Sequence, residues 1–221
     1  MTELRLIAGA ALAEAPEVNE APAVRLPPGR HGLPADLVRA HQRQRLLAAA
    51  ANALAEQGYG RLTAARVTEL AGVSSRTFYQ HFEDLWACLL AAYETEAGHL
   101  CTEIESSCRA RAEEGRLVQA RAGIGVALGF LAAEPSVARL LSAEPPPQIA
   151  ALAAARRDFV ERLGAMLRRV LDSGGATPLP GLERRLIGAA LALVATRSAS
   201  GEPRRLRELE PELSELLLTS L

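Results

Sequence analysis

The chain of 221 residues contains no lysine; all 25 of its basic residues are arginine, which reads as GC-rich coding sequence and not as a functional choice. Aromatic residues are scarce, at 4%, and no stretch alternates Val, Ile, Thr or Tyr with polar residues, so a sheet protein is excluded. The three cysteines are odd in number and form no Cys-x-x-Cys pair. A disulfide framework is therefore not expected, and a reducing, cytoplasmic compartment is. The longest apolar runs, Ala122 to Ala133 and Leu186 to Ala195, fall short of the roughly 18 to 20 residues that cross a bilayer, so no membrane span or membrane partner is expected. A secretory signal at Arg5, the Leu6 to Ala13 run and Ala13-Glu14-Ala15 is also set aside, because the run is short and Glu3 precedes it. Nor is there a strong excess of charge. The net value is −1, and the one mildly basic segment, residues 37–93, holds six arginines against four acids. That balance cannot hold nucleic acid by non-specific attraction, so any such contact has to be well placed or doubled.

What is abundant is Ala, Leu, Glu and Arg, strong helix formers, within 49% hydrophobic and 23% charged residues, the proportions of a folded chain. The expected fold class is all-α. Residues 1–34, with room for a short helix at Leu4 to Ala13, are otherwise broken by Pro16, Pro22, Pro27, Pro28 and Pro34 and are expected to be a flexible N-terminal arm. From Ala35, the residues Leu37, Val38, His41, Leu46, Leu47, Ala50 and Leu54 mark one face of a helix of about twenty residues that Gly58 stops. Two short helices follow, Thr63 to Ala71 and Ser74 to His81, then a long one from Asp84 to Arg111. Further helices are expected near 116–133, 136–142, 148–172, 180–199 and 204–219. They are separated by Gly115, Pro135, Pro145-Pro146-Pro147, Gly174-Gly175 with Pro178, and Gly201 with Pro203. This divides the chain into an arm over 1–34, a three-helix module over 35–83 and a larger helical domain over 84–221.

The stretch from Gly58 to Phe82 carries the functional signal. Thr63 is placed to cap the first short helix and Ser74 the second, while Gly72 supplies the left-handed residue that turns the chain between them. Val67, Leu70, Ala71, Val73, Phe78 and Phe82 would pack the pair against Leu46, Leu47, Ala50 and Leu54 of the preceding helix. This is a helix-turn-helix pattern, whose second helix can enter a major groove. That helix offers Ser75, Arg76, Thr77, Tyr79, Gln80 and His81, all hydrogen-bonding, with no acid to repel a phosphate. Arg76 suits guanine O6/N7, Thr77 a thymine methyl and Gln80 adenine, whereas Tyr79 and His81 suit phosphates. Thr63 begins a helix whose dipole favours an anion. A helical hairpin with a merely solvated polar face is the plainer alternative; two capped short helices, an acid-free second helix and the Phe-Tyr-x-His-Phe ending together speak against it.

At these residues the chain resembles the TetR family of bacterial transcriptional regulators. The matching string is Arg45-Leu46-Leu47-x-Ala49-Ala50, Gly58-Tyr59, Thr63, Ala71-Gly72-Val73-Ser74 and Thr77-Phe78-Tyr79-x-His81-Phe82. The resemblance implies that Thr63 and the Ser75 to His81 helix touch an operator, with Tyr79 and His81 near phosphates. It implies, too, that the helical domain beyond encloses an effector cavity and forms a homodimer through its last two long helices. Leu85 stands where members of the family usually carry a phosphate-clamping cation, Ala64 and Ala65 are smaller than common occupants, and Thr68 replaces a small residue at the helix crossing. Weaker DNA affinity is therefore expected, with Arg25, Arg30 and His31 of the arm as compensating minor-groove contacts.

In the helical domain no nucleophile, base and orienting group stand at usable spacing, so the chain is not read as an enzyme, and no cofactor or metal is assigned. Trp86, Tyr93, Phe130, Phe159 and Met166 are candidates to line the cavity. Cys101 and Cys108 share a helical face with Cys88 off it, a pattern that suits small buried hydrophobes better than a thiol sensor. Leu182, Leu186, Ala189, Ala190, Leu193, Val194 and Arg197 form one stripe for a partner helix, and Leu206, Leu209, Leu213, Leu216 and Leu217 a second, which Pro211 should break or restart. The reading is a cytoplasmic, ligand-responsive repressor that binds double-stranded DNA as a homodimer and responds to a small-molecule effector. The alternative is a helical scaffold or partner-binding protein with a degenerate helix-turn-helix.

Overall fold

The glycines and prolines fall where helices end. The computed structural model describes residues 34–172, 181–200 and 203–218, and no strand occurs among them. The helices are α1 (Ala35–Gln57), α2 (Ala64–Ala71), α3 (Ser75–His81), α4 (Leu85–Ala110), α5 (Arg116–Ala133), α6 (Pro135–Ser142), α7 (Ala150–Asp172), α8 (Leu182–Ala199) and α9 (Glu210–Leu218), with 3₁₀ turns at Ala112–Glu114 and Pro203–Leu209. Arg25, Arg30 and His31, with the arm over residues 1–33, lie outside the described residues, as does the side chain of Leu217. The last segment, expected as one helix, is 3₁₀ up to Leu209 and α-helical from Glu210. Pro211 thus sits in the first turn of α9, where its missing N–H leaves no helical bond unmade.

Helix α1 is buried from Leu46 to Leu54 because α2, α4 and α6 pack around it. Its first turns have no such neighbours, so Leu37, expected on the core face, is 58% exposed. Leu70 is a second correction: it is 37% exposed, because α2 turns Val67, Thr68 and Ala71 inward instead. Helix α4, about 39 Å long by its rise per residue, is capped by the Asp84 carboxylate, which accepts from Ala87 N at 2.7 Å. It packs with α1 near Cys88, whose Sγ lies 3.8 Å from the Leu46 carbonyl, and also against α5 and α7. Helix α6 lies between α1 and α8. Ion pairs Arg168–Glu183 and Arg184–Glu161 join α7 to α8. Helix α5 reaches the length and hydropathy of a membrane-crossing helix, which the run Ala122 to Ala133 alone does not; here it packs against α4 and the second 3₁₀ stretch.

The second stripe proposed for a partner helix is largely internal. Leu206 and Leu209 are fully buried in the chain's own core, because the 3₁₀ stretch lies against α5. In the first stripe, Ala190 and Val194 turn toward an internal cavity with Ile187 and Leu191. What α8 leaves exposed is Arg184 and Arg185 near its start and, further along, Gly188, Ala189, Ala192, Thr196 and Ala199.

The core contains polar groups with nothing to bond. The hydroxyls of Tyr59 and Tyr93 and Arg156 Nε are buried without a hydrogen-bond partner among the described residues, while Arg156 Nη2 meets Glu144 at 2.8 Å. Burial pushes the Tyr59 phenol up to about 12 and raises that of Tyr93 further. An unpaired buried hydroxyl carries a desolvation penalty with no compensating bond. Tyr93→Phe is therefore expected to raise unfolding stability by about 1 kcal/mol in urea titrations. A loss of that size would contradict the assignment.

Candidate nucleic-acid interface

The short helices are set by their caps. Thr63, in extended conformation, accepts from Arg66 N at 3.2 Å, and Ser74 accepts from Thr77 N at 3.1 Å while its hydroxyl meets that of Thr77 at 2.9 Å. Gly72 is left-handed, φ 62° and ψ 37°. Its N–H bonds Glu69 O and the N–H of Val73 bonds Thr68 O, both at 3.1 Å, the paired bonds of a Schellman stop. Thr68 is tolerated at the crossing because its buried hydroxyl donates to Ala65 O at 2.9 Å. Arg45 reaches across from α1 and donates to Ala71 O and, at 3.3 Å, to Gly72 O, tying the turn to the first helix. Arg66 is held by Glu56 at 2.8 Å and Glu69 at 3.0 Å, so it is engaged within the protein.

Phe78 and Phe82 orient α3. Both are buried, with ring centroids 5.9 Å apart. In consequence Ser75, Arg76 and Gln80 are exposed, Tyr79 is 61% exposed with its ring edge-on to Phe78, and Thr63 and Ser74 are exposed at the caps. Thr77 and His81 are half-buried. His81 Nε2 lies 3.5 Å from Gln42 Oε1, and burial, followed by the positive charges of Arg39 and Arg43, holds its pKa below the usual histidine value. Its neutral form is thereby favoured. Arg39 and Arg43 are the residues that sequence reasoning missed. Both are exposed on α1, and Arg43 stacks its guanidinium over Phe82 at 4.8 Å. Their i, i+4 spacing was legible; their place beside the end of α3 depends on how the helices cross. Leu85 is half-buried against the core.

A cavity of about 150 Å³ lies among α4, α5, α7, α8 and α9, walled by Leu100, Ile104, Leu128, Leu163, Ile187 and Leu191 among others. Of the five residues proposed to line it, Phe159 and Met166 do so. Trp86, Tyr93 and Phe130 do not. Trp86 stands in the first turn of α4 whereas the cavity runs along the second half of that helix, Phe130 is half-buried in the surrounding core, and Tyr93 lies behind the wall, edge-on to Phe159 at 6.1 Å. Burial pushes all three thiols up, Cys88 to about 12. Among the described residues no three His, Cys, Asp or Glu side chains converge as a metal site requires.

Residues 46–92, the span from α1 through the turn into α4, match the sequence profile of the bacterial regulatory proteins of the tetR family. Over that span the chain is similar to the TetR family. No curated protein sequence matches it, but solved structures do. The fatty acid degradation regulator FadR of Bacillus halodurans superposes with a TM-score of 0.68 at 17% identity, over 81% of this chain and 96% of that one. FadR of Bacillus subtilis, solved in complex with stearoyl-CoA, gives 0.67 at 19% identity over 80% and 98%. A TetR-like transcriptional regulator of Rhodococcus sp. RHA1 gives 0.66 at 19% over 86% and 100%. At such identities these likenesses are of fold. The Arg45 bridge to the turn is a positioning contact. Arg45→Met should cost about 1 kcal/mol of unfolding stability and weaken DNA binding while the salt dependence of binding stays unchanged. A reduced slope would place Arg45 on a phosphate instead.

Proposed function

We propose that this chain is a cytoplasmic, ligand-responsive transcriptional repressor that binds a palindromic operator as a homodimer. The observation that carries this is α3, anchored by Phe78 and Phe82 and offering Ser75, Arg76, Tyr79 and Gln80 to solvent with no acid among them. Arg76 reads a guanine, Gln80 an adenine, Tyr79 a phosphate, and Thr63 places the start of α2 on the backbone. Arg39 and Arg43 form a second phosphate ledge beside His81, which offsets the cation missing at Leu85. Two copies held about 34 Å apart double these contacts and answer the weak net charge. The small exposed residues of α8 let a partner helix approach closely.

The cavity takes the effector; a regulator of similar fold, FadR of Bacillus subtilis, is solved in complex with stearoyl-CoA. Helix α8 lines it, and α6 connects α8 to α1, so a ligand that binds the cavity more tightly when the module is away from its DNA-bound placement shifts it that way. By linkage, operator DNA must weaken effector binding by the same factor. A scaffold with a degenerate motif has Leu85 and the modest charge on its side, but the intact caps and turn weigh against it.

Selection of bound fragments from the source genome should yield a palindromic sequence, and its failure would overturn the reading. Against that sequence Arg76→Ala should lose about 1–3 kcal/mol of discrimination at one base pair of each half-site, while Arg39→Gln with Arg43→Gln, two cations in each of two copies, should lower the salt slope by about 4 with specificity kept. Phosphates beside Arg39, Arg43 and His81 favour the imidazolium, so His81 has a higher pKa on DNA than off it. Affinity should therefore rise as pH falls from about 8 to about 5.5, and His81→Gln should flatten that rise. An equal rise in the variant would contradict the assignment.

A further inference from the structure

The cavity is apolar, yet one side of it opens. Ile104, Cys108, Met166 and Val170 belong both to its wall and to a depression on the surface between the second halves of α4 and α7. A second depression meets the wall at Met166. The rim of the two is arginine: Arg109, Arg162, Arg168 and Arg169, with Glu105 as the acid among them. Arg169 is paired with Glu105 at 3.0 Å and Arg168 with Glu183. Arg109 and Arg162 have no carboxylate partner among the described residues. Arg109 stands in the last turn of α4, where a cation complements the helix dipole without any ligand. Arg162 stands mid-helix in α7 and has no such role.

We propose that the effector is a short-tailed anionic amphiphile, its tail in the cavity and a carboxylate or phosphate head at Arg162 and Arg109. This rests on the reading of the cavity as the effector site and adds the ligand class. A cavity of about 150 Å³ takes a guest of benzene size, so the tail it accepts without widening has about six carbons. A charged head inside such a wall would be desolvated without partners, whereas at the rim it keeps water and gains charge-assisted bonds to guanidinium. The inward alternative, a head at the unpaired Tyr93 hydroxyl and Arg156 Nε, is disfavoured because neither residue lines the cavity and Phe159 stands between.

Calorimetric titration of the full chain with hexanoate, hexyl phosphate and 1-hexanol tests this. Both anions should bind at least tenfold more tightly than hexanol. Arg109→Gln with Arg162→Gln should bring the anions down to hexanol and leave hexanol itself unchanged, while Arg157→Gln, off the rim, changes nothing. Ala127→Phe, on the cavity wall, should abolish all three with the thermal transition kept. Anion binding no tighter than hexanol, anion binding that survives the double substitution, or a loss on Tyr93→Phe would overturn the proposal. Operator affinity of the ligand-free double variant should equal that of the parent chain. If DNA is bound and none of the three compounds is, the ligand class is wrong and the regulator stands; if no DNA is bound by either, the regulator reading itself fails.

Discussion

Two phenylalanines four residues apart decide what the second short helix can present. A seven-residue helix has almost no stability of its own, so the conformation and orientation of α3 are supplied by what it buries. Phe78 and Phe82 each remove an aromatic ring from water, a gain of roughly 2–3 kcal/mol apiece, and in doing so leave Ser75, Arg76, Tyr79 and Gln80 no inward direction. The Ser74 cap and the Gly72 turn then set where the helix begins and at what angle it leaves α2. Recognition chemistry on this surface is a consequence of core packing on the opposite one.

Helix α1 is the member through which the rest communicates. It receives α2 along one side, holds the turn through Arg45, carries Arg39 and Arg43 beside the end of α3, and packs against α4 and α6. A small shift of α6 or α4 is therefore felt by the whole three-helix module. The unpaired hydroxyls of Tyr59 and Tyr93 mark the junction between that module and the cavity wall at Phe159, a place where packing is satisfied and hydrogen bonding is not. Such a region is cheaper to rearrange than a fully bonded one.

Much of this was legible in the sequence, and for local reasons. Gly58, Gly72, Pro135 and Pro211 act through their own backbone, Thr63 and Ser74 through bonds three residues away, and the Phe78–Phe82 spacing through helical period. Features that depend on several distant segments were not. Five helices wall the cavity, so large aromatic side chains were a poor guide: two of the five named residues line it, Tyr93 and Phe130 serve the packing around it, and Trp86 is exposed at the start of α4. Leu206 and Leu209 read as a free stripe because periodicity does not distinguish a face that meets another molecule from one that meets α5. Leu37 and Leu70 show the converse, apolar residues left outside because nothing packs over them.

The central claim, that α3 enters a major groove twice per assembly, is tested most directly by a hydroxyl-radical footprint of the unmodified protein on its selected duplex. The account predicts two protected patches related by dyad symmetry, with centres about 34 Å or a multiple of that apart along one face of the helix. A single protected patch, or protection without symmetry, would contradict it.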